Sequence, residues 1–198
     1  MPDGGYALAE VVLFHHALGL TPGVAAFAAD LRRTGHVVHA PDLYEGRTFE
    51  TVEEGVRHAQ AIGIGTVVER GIRAVDTLPA GLVYAGFSLG ALPAQRLAQT
   101  RTGARGALLF HGCVPVSAFG RGWPDGVPVQ IHAMEADPWF VGDGDIDAAR
   151  ALVEEADDGA LFLYPGDRHL FADASLPDYD PDAAALLVRR VLGFLATL

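Results

Sequence analysis

The chain has 198 residues, half of them hydrophobic and only 20% charged, which suits one domain with a large core and excludes wholesale disorder. A formal charge of −11 argues against binding along a phosphate backbone, which needs clustered cations. All 14 basic residues are Arg, and neither Lys nor Asn occurs; this excludes a Schiff-base enzyme, a P-loop, a protein-kinase site, N-glycosylation and a Cys-His-Asn triad.

In chain order, Ala7–Phe14 reads as a first strand, followed by a Gly/His loop. Pro22 opens a helix to about Thr34, with Val24, Phe27, Ala28 and Leu31 at helical spacing and Gly35 as its stop. Val37–Ala40 is a short strand, and Asp42–Glu50 a loop. Thr51–Leu78 reads as helical with a break near Gly63 and Gly65. Leu82–Phe87 is a strand of the buried type, and Leu89–Thr100 is a helix that tolerates Pro93 only in its first turn. Then come a strand at Ala107–Phe110, a loop at Val114–Gly126, a strand at Val127–Met134, a helix at Ile146–Glu155 and a strand at Ala160–Tyr164. Asp180 and Pro181 cap a last helix to about Thr197. Strands alternating with helices predict one α/β domain over residues 1–198, with a mainly parallel sheet and helices on both faces. Ligands of such sheets bind beyond the carboxyl ends of the strands.

The single cysteine, Cys113, can form no internal disulfide, so the expected compartment is the cytoplasm. The start, MPDGGYALAE, lacks the basic segment of a secretion signal. Two uncharged stretches, Val11–Ala29 and Thr77–Gln95, are interrupted by Gly and Pro and do not read as membrane spans. No cofactor motif is visible. A His15/His16/His111 metal site lacks recognisable ligand spacing.

The chemistry concentrates at Gly86-Phe87-Ser88-Leu89-Gly90, a G-x-S-x-G segment between a predicted strand and a predicted helix. This is the pattern of a nucleophile elbow, whose tight turn projects the central side chain and has no room for a Cβ two positions away on either side. With 3 Ser and 24 Gly in the chain, chance supplies roughly 0.04 such segments, so the pattern reads as functional rather than as a Gly-rich nucleotide-binding turn. A serine hydroxyl needs a base, and the base needs an orienting acid. Asp137 follows one predicted strand and His169 the next, in the order Ser, Asp, His. Glu135, Asp143 and Asp145 are the competing acids.

These residues resemble the dienelactone hydrolase family, a minimal branch of the α/β-hydrolase fold. The likeness runs through Val11–Leu20, through Gly35–Tyr44 with its Ala-Pro-Asp-Leu-Tyr, through Tyr164-Pro165-Gly166 with His169 and Phe171, and through Asp178–Pro181. The resemblance implies hydrolysis of a small-molecule ester or lactone by a Ser88–His169–Asp137 triad, without a cofactor. The Leu89 N–H and, by likeness to the family, the Ala17 N–H would form an oxyanion hole. Three departures stand out. Ser88 replaces the namesake's Cys. His16 replaces a Glu after the first strand. Asp173 stands where an Arg binds the namesake substrate's carboxylate, so a carboxylate-bearing ligand facing it would be repelled.

Around this centre, His15, His16, Tyr44, His111, Trp139 and Phe140 are candidates for a substrate pocket. His16 reads either as a donor to substrate or as a polar wall, and Phe119 and Trp123 either as pocket wall or as anchors of their loop. Arg47 reads as a solvated loop residue, His36, His39 and His132 as histidines of strands or strand ends, and Cys113 as a small packed side chain rather than a rival nucleophile. A base at His169 predicts activity rising with pH through roughly 6–7. The rival readings are a non-catalytic binding protein of the same fold and an acyltransferase or thioesterase with the same triad.

Overall fold

The computed structural model describes residues 8–198. Among these residues six strands form one parallel sheet: β1 (Glu10–Phe14), β2 (Val37–His39), β3 (Val83–Phe87), β4 (Gly106–Phe110), β5 (Val129–Met134) and β6 (Gly159–Tyr164). Their order is β2-β1-β3-β4-β5-β6. The direction of strand addition therefore reverses at β1, which has β2 on one side and β3 on the other, and a crevice is expected beyond that point. The first strand starts three residues after Ala7, which itself lies outside the described residues.

Among the described residues, six α-helices lie between the strands, α1 (Pro22–Arg33), α2 (Val52–Ile62), α3 (Ile64–Arg73), α4 (Ala91–Thr100), α5 (Pro138–Gly142) and α6 (Asp145–Glu155), and α7 (Pro181–Leu195) follows the last strand. The sheet's pleat sends alternate residues to opposite cores. Val11 and Leu13 of β1 join Val24, Phe27 and Leu31 of α1 and Leu187 and Val191 of α7. Val12 and Phe14 join Val67 of α3, Leu97 of α4 and Leu152 of α6. Both faces are thus covered, which is why β3, β4 and β1 from Val11 onward read as unbroken apolar runs.

The long helical stretch from Thr51 breaks at Gly63, whose φ of +90° an L side chain resists; Gly65 continues inside α3. Pro93 sits in the first turn of α4. The helix α5 is an addition to the sequence reading. Asp137 caps it by accepting the N–H groups of Trp139 and Phe140, with Pro138 opening its first turn.

Candidate active site

Ser88 follows β3 directly and has φ +49°, in the left-handed region that non-glycine residues rarely occupy. The flanking glycines have concrete causes. A Cβ on Gly86 would lie 2.0 Å from the Gly90 carbonyl oxygen, and one on Gly90 would lie 2.5 Å from that of Phe14. The elbow is therefore pressed against its own helix entry and against the end of β1. The single 3-10 turn Ser88–Gly90 then runs into α4, so the Leu89 N–H lies among the first amides of a helical segment, which have no acceptor within it.

Ser88 Oγ lies 2.8 Å from His169 Nε2. His169 Nδ1 lies 2.7 Å from Asp137 Oδ2. Asp137 is wholly buried, and its other oxygen accepts the Trp139 and Phe140 N–H groups at 2.9 and 3.3 Å. With Nδ1–H donating to the carboxylate, Nε2 is free to accept from the Ser88 hydroxyl. The three side chains thus come from the loops after β3, β5 and β6. Of the competing acids, Glu135 is exposed, while Asp143 and Asp145 line a cleft instead.

That cleft encloses about 210 Å³ next to Ser88 and Leu89. His111, Cys113, Trp139, Asp145 and His169 contribute to its walls, as do Leu92 and Gln95 of α4. A second cleft of about 260 Å³ shares Trp139 and His169 and is completed by Leu18, Glu50, Glu53, Leu170 and Asp178. Gln95 clamps the near wall: its side-chain amide accepts from the Val114 N–H at 3.0 Å and donates to the Val114 carbonyl at 2.7 Å. It lies two helical turns after Ser88, a spacing the sequence offered without marking it as functional. Burial pushes the Cys113 thiol up, and the Asp145 charge adds to this. The thiol is consequently held protonated, the wrong state for a nucleophile.

The histidines divide sharply. His111 closes β4 with φ +58°, is wholly buried, and has no hydrogen-bond partner at either ring nitrogen. Burial first, and then the charges of His169, His16 and His132, hold its pKa well below the usual value. His15 does not line either cleft. Its Nδ1–H donates to the His16 carbonyl at 2.7 Å, and its Nε2 accepts the Leu43 N–H at 2.9 Å, so it ties β1 to the loop after β2. Burial lowers its pKa to about 4. His16 is also away from both clefts: Nδ1 accepts the Leu18 N–H at 3.2 Å, and Nε2–H donates to Asp173 at 2.8 Å.

Asp173 lines neither cleft, so its carboxylate is not placed to meet a ligand there. Its buried carboxylate also accepts from the Thr21 hydroxyl and from the Ser175 N–H and hydroxyl. Burial alone would raise its pKa, but the hydrogen bonds from His16, Ser175 and Thr21 prevail and hold it at about 2.

Tyr44 and Phe140 are core residues rather than cleft wall, at 1% and 0% exposure. Tyr44 packs edge-on against His15 and His58, because its loop folds back over α2. Trp123 is likewise an anchor, its Nε1–H donating to the Val127 carbonyl at 2.6 Å. Ala17 lies in the turn after β1, and α2 abuts it: a Cβ on Gly55 would lie 2.1 Å from the Ala17 oxygen. Among the described residues, no group of three or more His, Cys, Asp or Glu could hold a metal ion. No described helix is long and apolar enough to cross a membrane.

No curated protein matches the sequence. Solved structures match over nearly the whole chain. A candidate dienelactone hydrolase from Klebsiella pneumoniae is 16% identical with a TM-score of 0.71, covering 100% of this chain and 90% of that one. A dienelactone hydrolase-like promiscuous phosphotriesterase from metagenomic libraries is 18% identical with a TM-score of 0.71, covering 99% and 89%. A dienelactone hydrolase from Anabaena variabilis is 19% identical with a TM-score of 0.64, covering 96% and 86%. At such identities these structures establish the α/β-hydrolase fold. The family model of the dienelactone hydrolases matches residues 2–198, and the chain belongs to the dienelactone hydrolase family.

Proposed function

We propose that the protein hydrolyses a carboxylic ester or lactone through an acyl-enzyme on Ser88. The observation that carries this reading is the unbroken hydrogen-bond chain from Ser88 Oγ through His169 to the buried Asp137, set at the head of a left-handed elbow. Ser88 Oγ attacks the carbonyl carbon while its proton passes to His169 Nε2. The carbonyl oxygen becomes an oxyanion, stabilised by the N–H groups of Leu89 and Ala17. Each such donor is worth roughly 3–4 kcal/mol of transition-state energy. The carbon–oxygen bond to the leaving group then breaks, and His169 returns the proton to the departing alkoxide. Water, deprotonated by the same imidazole, attacks the acyl-enzyme; the bond from the acyl carbon to Ser88 Oγ breaks, His169 returns the proton to Oγ, and the acid leaves. Asp137 fixes the Nδ1–H tautomer and stabilises the imidazolium.

The test is a panel of p-nitrophenyl esters and lactones run on the wild type beside Ser88→Ala, with fluorophosphonate labelling of both. The expected result is a loss of at least about 10³-fold in turnover and labelling that depends on Ser88. Wild-type turnover by purified Ser88→Ala ends the assignment.

A further inference from the structure

The sheet has two edges, and only one of them is blunted. At the first edge β2 is three residues long, with Pro41 close behind it. At the other edge β6 is six residues long and reads Gly-Ala-Leu-Phe-Leu-Tyr. It carries no charge and no Pro, and its register with β5 runs without a bulge. Edge strands are ordinarily shortened, charged or bulged, because a row of unpaired N–H and C=O groups is a template for another strand.

The direction of those groups follows from the ladder. The Val129 N–H donates to the Asp158 carbonyl and the Glu135 N–H to the Tyr164 carbonyl, both at 2.9 Å. Even-numbered residues thus turn their peptide groups toward β5, and Gly159, Leu161 and Leu163 turn theirs outward. Among the described residues, none of these three has a backbone partner beyond the sheet. The edge is also open to solvent: Leu163 is 36% exposed, and Leu161 and Phe162 are half-buried.

The register of a second strand is set by the same three residues. A twofold partner that uses all of them runs antiparallel, with Leu161 opposite Leu161 of the second copy and Gly159 opposite its Leu163. That register sets Asp158 directly opposite Tyr164 of the second copy. The Arg190 guanidinium lies over this tyrosine, its Cζ 5.0 Å from the Tyr164 ring and 4.2 Å from the Phe162 ring. Among the described residues, neither Asp158 nor Arg190 takes part in an ion pair. Within one chain, Asp158 and Tyr164 are separated by roughly 20 Å of extended strand. Across the twofold axis the two free charges meet, once on each side, and opposite charges at facing strand positions stabilise pairing.

We propose that the protein pairs with a second copy of itself edge to edge through β6, joining the two sheets into one, with Asp158 of each copy held by Arg190 of the other.

The experiment is sedimentation velocity of the full chain across the micromolar range, on the wild type, Leu163→Pro, Asp158→Arg and the exchange Asp158→Arg with Arg190→Asp. The wild type should sediment at twice the chain mass. The Leu163 amide points away from β5, so Pro there removes no bond of the sheet but does remove a donor to the second copy; this variant should be monomeric. Asp158→Arg sets like charges at both contacts and should raise the dissociation constant at least about tenfold, and the exchange should recover most of that loss. Should Leu163→Pro fail to fold, the charge exchange decides. A wild type that stays monomeric overturns the proposal, including one that takes up only a foreign extended peptide. So does a dimer indifferent to Leu163→Pro and to Asp158→Arg, or an exchange variant that dimerises no better than Asp158→Arg.

Discussion

Asp137 holds two structures together through separate oxygens, and replacing it in two ways separates them. Oδ2 accepts from His169 Nδ1, and Oδ1 accepts from the first amides of α5. In Asp137→Asn the side-chain oxygen can keep the helix cap, and the amide nitrogen then faces His169. An amide N–H can only donate there, so Nδ1 must accept and the ring proton moves to Nε2. The ring then presents a proton to Ser88 instead of a lone pair. Loss of the correct tautomer in a serine triad costs about 10⁴ in kcat, or about 5.5 kcal/mol of barrier. Stability should fall by no more than about 1 kcal/mol, because an Asn cap is nearly as good as an Asp cap. Asp137→Ala loses the cap, at about 1 kcal/mol, and leaves a buried Nδ1–H unmet, at about 1–3 kcal/mol; the total is about 2–4 kcal/mol. The measurements are kcat/KM on a short p-nitrophenyl ester and urea denaturation of both variants. An Asp137→Asn protein within tenfold of wild-type activity would refute the orienting role. Equal destabilisation by Asn and Ala would refute the division between the two oxygens.

Two further expectations follow from burial and close approach. His15 and His132 have pKa values lowered to about 4 and about 3, by burial first in each case, whereas in the unfolded chain both titrate near 6.5. The unfolded state therefore binds more protons below pH 6.5, and stability falls as acid is added. At pH 5 each residue has removed about 2 kcal/mol relative to neutral pH, with His111 acting in the same direction. Urea midpoints that coincide at pH 7 and pH 5 would contradict this. In Gly86→Ala the new Cβ would sit 2.0 Å from the Gly90 oxygen, so the elbow must open. This should cost about 1–3 kcal/mol of stability and slow fluorophosphonate labelling at Ser88; wild-type labelling kinetics would show that the glycine is not sterically required.

The turn at Ser88 and the placing of Asp137 and His169 just after two later strands were legible because each is a local pattern, a residue type close behind a strand end. Asp137-Pro138 is itself a helix-opening pair, but the five residues of α5 carry too little periodicity to mark a helix in the sequence. The roles of His15, His16 and Tyr44 were not legible. His16 meets Asp173 across 157 residues of sequence, and nothing near either residue announces the other. Tyr44 carries a polar tip and sits in a predicted loop, which made it look like a ligand contact; only the folding of that loop over α2 puts it in the core. The second cleft combines the start of α2 with the loop after β6, segments far apart in the chain.

The meeting of His16 with Asp173 also changes how two of the departures from the family pattern should be counted. Replacing either residue alone by an apolar one abandons a charge or a ring proton in a dry interior, where neither is tolerated without its companion. Positions 16 and 173 therefore act as one unit in this chain, and a designer who places a guanidinium at the second should supply an anion at the first.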